Sequence, residues 1–209
     1  MFKFLDGKTV ILASTSPRRK ALLEQIGLSV NVFQAEIDEE EEVLSENLTE
    51  PSEIAKFLAV AKAKHAFEKY CGLNNGVPDL LIASDTVVDL DGSPIGKPKN
   101  KQGAIEALTR LSGNMHEVHT GVCFMFRKSE DVDVKTLSFV ESCKVHFGQL
   151  SSEVINTYVA TGECYGKAGS YGIQGIGSIL VEKIEGDYNA VVGFPLRRFF
   201  VEVRKAFCD

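Results

Sequence analysis

The chain has 209 residues, of which 44% are hydrophobic, and a formal net charge of −6 at pH 7. Its length suits one domain over residues 1–209, and none of its apolar runs approaches the roughly 20 residues that a membrane helix needs. The negative balance argues against broad nucleic-acid binding, which wants a basic face, but leaves room for a local basic pocket that binds one small anion.

The first predicted elements lie around Val10-Ile-Leu-Ala-Ser-Thr-Ser-Pro-Arg-Arg19. Residues 9–13 read as an apolar strand that runs into a hydroxyl cluster. Ser16 stands where a helix N-cap belongs and Pro17 where the first helical residue belongs, so a helix is expected over 17–26, ended by Gly27. Arg18 and Arg19 open that helix, although cations are disfavoured where exposed N–H groups already make the terminus positive. The pair fits a phosphate cradle of backbone N–H groups, hydroxyls and guanidiniums. A capped helix with two solvated arginines reads equally well from this segment alone.

A short strand is expected over 29–33. The acidic run Glu36-Ile-Asp-Glu-Glu-Glu-Glu42 follows, which reads as a solvated loop continuing to Glu50. Glu36 and Asp38 lie nearest the preceding strand and could join Asp85 around a divalent cation, since magnesium takes carboxylates, water and substrate phosphates. Pro51 opens a long helix, with Ile54, Leu58, Ala61 and His65 on one stripe. Residues 80–90 form a strand in two parts, Leu-Leu-Ile-Ala and then Ser84-Asp-Thr-Val-Val, with a turn at Asp91-Gly92. A carboxylate such as Asp85, placed after a strand apolar on both faces, is desolvated unless it is paired or bound to metal. Ligands gather at strand ends in open α/β sheets. An aspartate that caps a turn or pairs with a lysine would look the same. Lys97, in Ile95-Gly-Lys-Pro98, suits a lysine aimed at a phosphate, though the tetrapeptide alone reads more simply as a surface turn.

An amphipathic helix is expected over 100–111, closed by Ser112-Gly113. Two long antiparallel strands follow over 116–127 and 134–148, joined by the polar turn 128–133. Ser151 caps a helix over 152–161. The stretch Gly166-Lys-Ala-Gly-Ser-Tyr-Gly-Ile-Gln-Gly-Ile-Gly177 has five glycines in twelve residues, a density that lets backbone approach a ligand closely. It is neither a Walker A loop nor a Rossmann fingerprint. Gln174, both donor and acceptor, suits a base edge, and Lys167 suits a phosphate. A strand over 178–184 and a final helix over 193–207, with Pro195 in its first turn, complete a mixed α/β chain without repeats.

The segment Met1-Phe-Lys-Phe-Leu-Asp-Gly-Lys8 lacks a signal-peptide core and cleavage site, which sets a cytoplasmic or nuclear expectation, of which the cytoplasmic is carried forward. The five cysteines are scattered without a Cys-x-x-Cys, against a disulfide framework or zinc site. Cys123 and Cys143 read as small core residues. His116 and His119 face opposite sides of a strand, which is poor geometry for a shared metal.

In order, Ser-x-Ser-Pro-Arg-Arg, an acidic loop, Ser-Asp-Thr-Val-Val, Gly-Lys-Pro, Leu-Ser-Gly, Thr-Gly-Val and Lys-Ala-Gly-x-Tyr-Gly-Ile-Gln-Gly resemble the Maf-like nucleotide pyrophosphatases over nearly the whole chain. The resemblance implies hydrolysis of a nucleoside triphosphate to monophosphate and pyrophosphate with Mg²⁺ or Mn²⁺, and no nucleic-acid or membrane partner. It implies a two-lobed α/β fold with a long, highly twisted mixed sheet, flanking helices and a central cleft, similar to inosine triphosphatases, in a homodimer. Asp85 matches the family's proton acceptor. Ser14, Arg19, Lys62, Lys97 and Lys167 match phosphate-binding positions, and Glu36, with Asp85, a metal position. Arg18, Thr86 and Gln174 match three positions that separate subfamilies, and all three agree with the branch that hydrolyses dTTP and UTP. Gly166 departs from relatives, which often carry Asp before the lysine. The other readings carried forward are a non-catalytic nucleotide-binding regulator of cell division and a transferase built on the same cradle.

Overall fold

The computed structural model describes residues 2–34, 37–73, 76–128 and 133–208. Strand β1 (Val10–Leu12) leads into helix α1 (Pro17–Gln25), and β2 (Asn31–Val32) follows. Next come α2 (Glu39–Ser45), the long α3 (Pro51–Gly72), β3 (Leu80–Leu90), β4 (Ser93–Ile95) and α4 (Lys101–Leu111). The second half holds β5 (Met115–Phe126), β6 (Lys135–Phe147), α5 (Ser152–Ala160), β7 (Val181–Glu185), α6 (Tyr188–Val192) and α7 (Leu196–Cys208).

The strands form one mixed sheet in the order β2-β1-β3-β5-β6-β7, with β4 beside β3. β2, β1 and β3 are parallel, while β3, β5, β6 and β7 run antiparallel. Alternation along β3 sends Leu81, Ala83 and Val87 toward α3, where they meet Ala55, Leu58, Ala59 and Ala63. Leu80, Ile82 and Val88 point the other way, into a larger core with Leu22, Leu108, Tyr158 and Phe199 from α1, α4, α5 and α7.

β3 is continuous, yet its outer edge changes partner. β1 pairs with it up to Ile82, and β4 from Val88 onward. Residues 83–87 therefore lie between the two, with β5 paired on their other side. Asp85 sits in this interval, in mid-strand rather than at a strand end as the sequence suggested. The hydrophobic run ends there because pairing with β1 ends there.

The buried stripe of α3 is Ile54, Ala55, Leu58, Ala59, Ala63 and Ala66. His65 is exposed and Ala61 only half-buried, because the helix lies on small residues that the i, i+4 series from Ile54 bypasses. From Glu39 onward the acidic run is helix, where a loop was expected. Asp38 caps α2 by accepting from the N–H groups of Glu40 and Glu41, and four glutamates in the first turn suit the positive end of the helix. Asp91 and Gly92 both have positive φ, as a tight hairpin between β3 and β4 requires. The strand expected over 178–184 begins only at Val181, after a 3₁₀ turn over Ile176–Leu180. The final helix begins at Leu196, and a short helix the sequence did not suggest, α6, precedes it, ended by Gly193 (φ 131°).

Candidate active site

A cleft of about 600 Å³ opens where β1 and β4 leave the edge of β3. Both faces of the sheet are reachable through that gap. Asp85 and Thr86 are adjacent and so point to opposite faces, yet both line the cleft.

On the α3 face, Asp85 is only 6% exposed. Its Oδ1 accepts from Lys62 Nζ at 2.5 Å, and the same ammonium bonds Glu39 Oε1 at 2.7 Å. Lys97 Nζ reaches both Glu39 oxygens at 3.3 Å. Asp85, Lys62, Glu39 and Lys97 thus form one alternating chain of charges. Burial disfavours the Glu39 carboxylate, but Lys62 and then Lys97 outweigh it and hold the group below its ordinary pKa. Gly121, paired with Asp85 across the ladder, brings Lys62 within reach. A Cβ there would stand 2.1 Å from the carbonyl oxygen of Ala55, so only glycine lets α3 lie this close to the sheet.

On the other face, Ser16 occupies the α1 cap position but makes no capping bond. Its N–H instead donates to Ser14 Oγ at 3.2 Å. Arg19 donates from Nε to Gly193 O at 3.0 Å, and from its two terminal nitrogens to Ser14 Oγ at 3.2 Å and Thr86 Oγ1 at 3.1 Å. Arg18 Nε donates to Val192 O at 3.4 Å. Two cations are tolerated at the α1 N-terminus because carbonyls at the end of α6 receive them. These acceptors are neutral, so the positive charge is not cancelled. Burial pulls Arg19 below its ordinary pKa, with Asp85 opposing, and burial does the same to Arg18. Arginine does not deprotonate in a protein, so the desolvation cost persists until an anion offsets it.

Thr120 fixes the polarity of Thr86. Its hydroxyl donates to Ala190 O at 2.8 Å and lies 3.0 Å from Thr86 Oγ1. One proton serves one acceptor, so Thr86 donates to Thr120 and accepts from Arg19. Thr86 has no proton to offer a base edge.

The glycine-rich segment closes the cleft, with Lys167, Gly172, Gln174 and Gly175 on its wall. Lys167 Nζ donates to the carbonyl of Glu163. Burial and then nearby Arg18 lower its pKa. Gln174 is exposed to the cleft. The glycines here approach the protein itself, where the sequence reading had them approach a ligand. Cβ atoms at Gly175 and Gly172 would meet Glu163 and Lys167 side chains at 2.1 and 2.9 Å.

Nine of the residues expected at the site line this one cleft: Ser14, Arg18, Arg19, Lys62, Asp85, Thr86, Lys97, Lys167 and Gln174. Glu36 lies outside the described residues. Asp38 is turned to capping and is not at the site. The sequence reading missed Glu39, Glu163 and Thr120. Asp38-x-x-Glu41 is a capping pattern that would have started a helix at Glu39. Cys123 and Cys143 are core residues; burial pushes the Cys123 thiol up to about 12. His116 bonds Tyr171 and His119 bonds Ser142, on opposite faces.

A buried carboxylate amid five cationic side chains suits a protein that holds a small polyanion and works on it. A family model described as Maf-like protein matches residues 9–206. The chain belongs to the Maf-like family. It is 40% identical over 202 residues to a Bacillus cereus protein named dTTP/UTP pyrophosphatase, covering 97% of each chain. A Bacillus anthracis protein of the same name is 41% identical over the same share. Among solved structures, the Staphylococcus aureus Ham1 protein overlaps at a TM-score of 0.42 and 18% identity, covering 67% of this chain and 72% of that one. A nucleoside-triphosphatase / dITP/XTP pyrophosphatase from Mycobacterium abscessus overlaps at 0.38 and 12% identity, covering 94% of each.

Proposed function

We propose that this chain hydrolyses dTTP and UTP, and modified pyrimidine triphosphates of the same edge, to the monophosphate and pyrophosphate. The observation that carries the reading is the cleft itself, where Asp85 lies among Arg18, Arg19, Lys62, Lys97 and Lys167. The likeness to proteins named dTTP/UTP pyrophosphatase over nearly the whole chain supports it.

Water attacks the α-phosphorus as the bond to the bridging oxygen of pyrophosphate breaks. Lys62 bonds Asp85 through Oδ1, leaving Oδ2 to orient the water and take its proton. Arg19, Lys97 and Lys167 hold the phosphates and stabilise the charge that leaves with pyrophosphate. Ser14 keeps Arg19 in place.

Among the described residues no three His, Cys, Asp or Glu side chains gather as a preformed metal cage. The donor set nonetheless fits Mg²⁺ or Mn²⁺, because Asp85 and Glu39 both turn an oxygen to the Lys62 ammonium, and two carboxylates plus substrate oxygens are what such ions take. When bound there, the ion would supply charge neutralisation at the phosphates.

Gln174 reads the acceptor–donor–acceptor edge of uracil or thymine with its paired donor and acceptor. Thr86 acts through Arg19, whose guanidinium it holds. Arg18, the third position expected to set specificity, lies at the α6 carbonyls. The chain works as one unit over residues 1–209, in the cytoplasm and as a homodimer. No described helix is long and apolar enough to cross a membrane.

The test is pyrophosphate release from a panel of nucleoside triphosphates with Mg²⁺ or Mn²⁺. Release concentrated on UTP and dTTP is expected. Release from purines alone would overturn the pyrimidine reading, and binding without release would point to a nucleotide-binding regulator.

A further inference from the structure

We propose that Glu163 is a positioning residue whose carboxylate is the template on which the base-reading segment 172–177 is folded, so that it sets substrate affinity and pyrimidine selectivity. This rests on the pyrophosphatase reading above.

The chain itself uses both oxygens of the carboxylate. Oε1 accepts from Gly177 N at 2.9 Å and from the Tyr158 hydroxyl at 3.1 Å, and Oε2 accepts from Ile176 N at 2.9 Å. Tyr158, having given its proton to Glu163, accepts from Gly172 N at 3.1 Å. One carboxylate thereby holds both ends of residues 172–177, directly at the far end and through Tyr158 at the near end. Gln174 lies between those anchors. Three glycines make the wrapping sterically feasible. A Cβ at Gly175 would stand 2.1 Å from Oε2, one at Gly177 2.9 Å from the Tyr158 hydroxyl, and one at Gly172 3.3 Å from Oε1. Burial opposes the charge on Glu163, but the N–H groups of Gly177 and Ile176, then Tyr158 and Lys167, outweigh it and hold the pKa below its ordinary value.

Lys167 separates the two functions of the residue. Its ammonium is held by the backbone carbonyl of Glu163, not by the carboxylate. Altering the side chain therefore releases the base-reading segment while the phosphate-side anchor remains. Glu163→Gln replaces one acceptor oxygen by a donor, which faces either Ile176 N–H or Gly177 N–H and cannot bond it.

For Glu163→Gln, KM for UTP rises about tenfold and the preference for UTP over GTP in kcat/KM falls about tenfold, as losing a hydrogen bond to a charged acceptor implies, while kcat changes far less. Tyr158→Phe, which breaks only the link to Gly172, shifts both in the same direction by less. Amide hydrogen exchange at Ile176 and Gly177 quickens in Glu163→Gln without nucleotide. Unchanged exchange would overturn the template. So would unchanged KM and selectivity beside a lowered melting temperature, or a fall in kcat at constant KM. Wild-type protein that releases no pyrophosphate would instead overturn the pyrophosphatase reading, and the exchange measurement would still decide whether Glu163 holds the segment.

Discussion

Asp85 and Gln174 are separable by substitution because they meet different parts of the substrate. Asp85→Asn keeps the volume and leaves an oxygen for Lys62, but the side chain no longer takes a proton. We expect turnover to fall by about 10²–10⁴, the usual contribution of a general base, with the melting temperature little changed. Pyrophosphate release within a few-fold of wild type would remove Asp85 from that role. Gln174→Glu loses the N–H₂ donor and keeps the acceptors. The carbonyl of the pyrimidine then faces a carboxylate, and the preference for UTP over purine triphosphates should fall by about tenfold. A panel with the original substrate ranking would show that Gln174 does not read the base. Neither effect is expected of Thr86 in the same form, since its proton is given to Thr120. Thr86→Val should weaken the hold on Arg19 and raise KM for every triphosphate alike.

The elements deliver these side chains through close approaches that single residues permit. Gly121 is the clearest, since an added Cβ at 2.1 Å from Ala55 O must push α3 away from β5. Gly121→Ala is expected to destabilise the fold by about 1–3 kcal/mol, the range for overpacking, and to lower kcat because Lys62 rides on α3. Urea unfolding read beside turnover checks both, and a variant with wild-type values in each would show that α3 adjusts freely. The same geometry explains what the sequence made legible. β1, α1, α3, β3, α4, β5, β6 and α5 carry local signals of alternation, periodicity, a Pro start or a side-chain cap, and they were found within a few residues. Two features are illegible locally for a common reason, in that their partners are tertiary. The apolar run 178–184 reads as strand, yet Glu163 takes the N–H groups of Ile176 and Gly177 and the chain turns until Val181. The two arginines at α1 invite an anion, but the α6 carbonyls that hold them lie more than 170 residues away in the chain. The miss at α2 was within reach. Its acidic run reads as solvated loop, but Asp38 makes it a capped helix and so brings Glu39 to Lys62, and Asp38→Ala should cost about 1 kcal/mol of helix stability.

At the scale of the whole molecule, the gap in the β3 edge joins two differently built faces, and burying polar groups on both leaves a pH signature. His116, 1% exposed on β5, bonds the Tyr171 hydroxyl at 2.9 Å and lies against Phe147. Burial, with His146 adding to it, drops its pKa from 6.5 to about 4. Between those values the unfolded chain binds a proton that the folded protein refuses, so stability rises with pH across this window. The slope approaches about 1.4 kcal/mol per pH unit, and about 3 kcal/mol is lost between pH 6.5 and 4. Glu39 and Glu163 act lower down. Their folded pKa values lie below the ordinary 4.5, so their contribution is present above that value and is lost as pH falls through the folded one. Acid should therefore unfold the protein in two stages, the first belonging to His116. Urea unfolding at closely spaced pH values separates them. In His116→Gln, which keeps a polar partner for Tyr171, the decline between pH 6.5 and 4 should largely vanish while the loss below pH 4.5 persists. An undiminished decline in that variant would assign the first stage to some other group. Because the folded protein keeps His116 neutral across this window, selectivity for UTP should stay level there, in the wild type as in the variant, while the stability of the wild type falls.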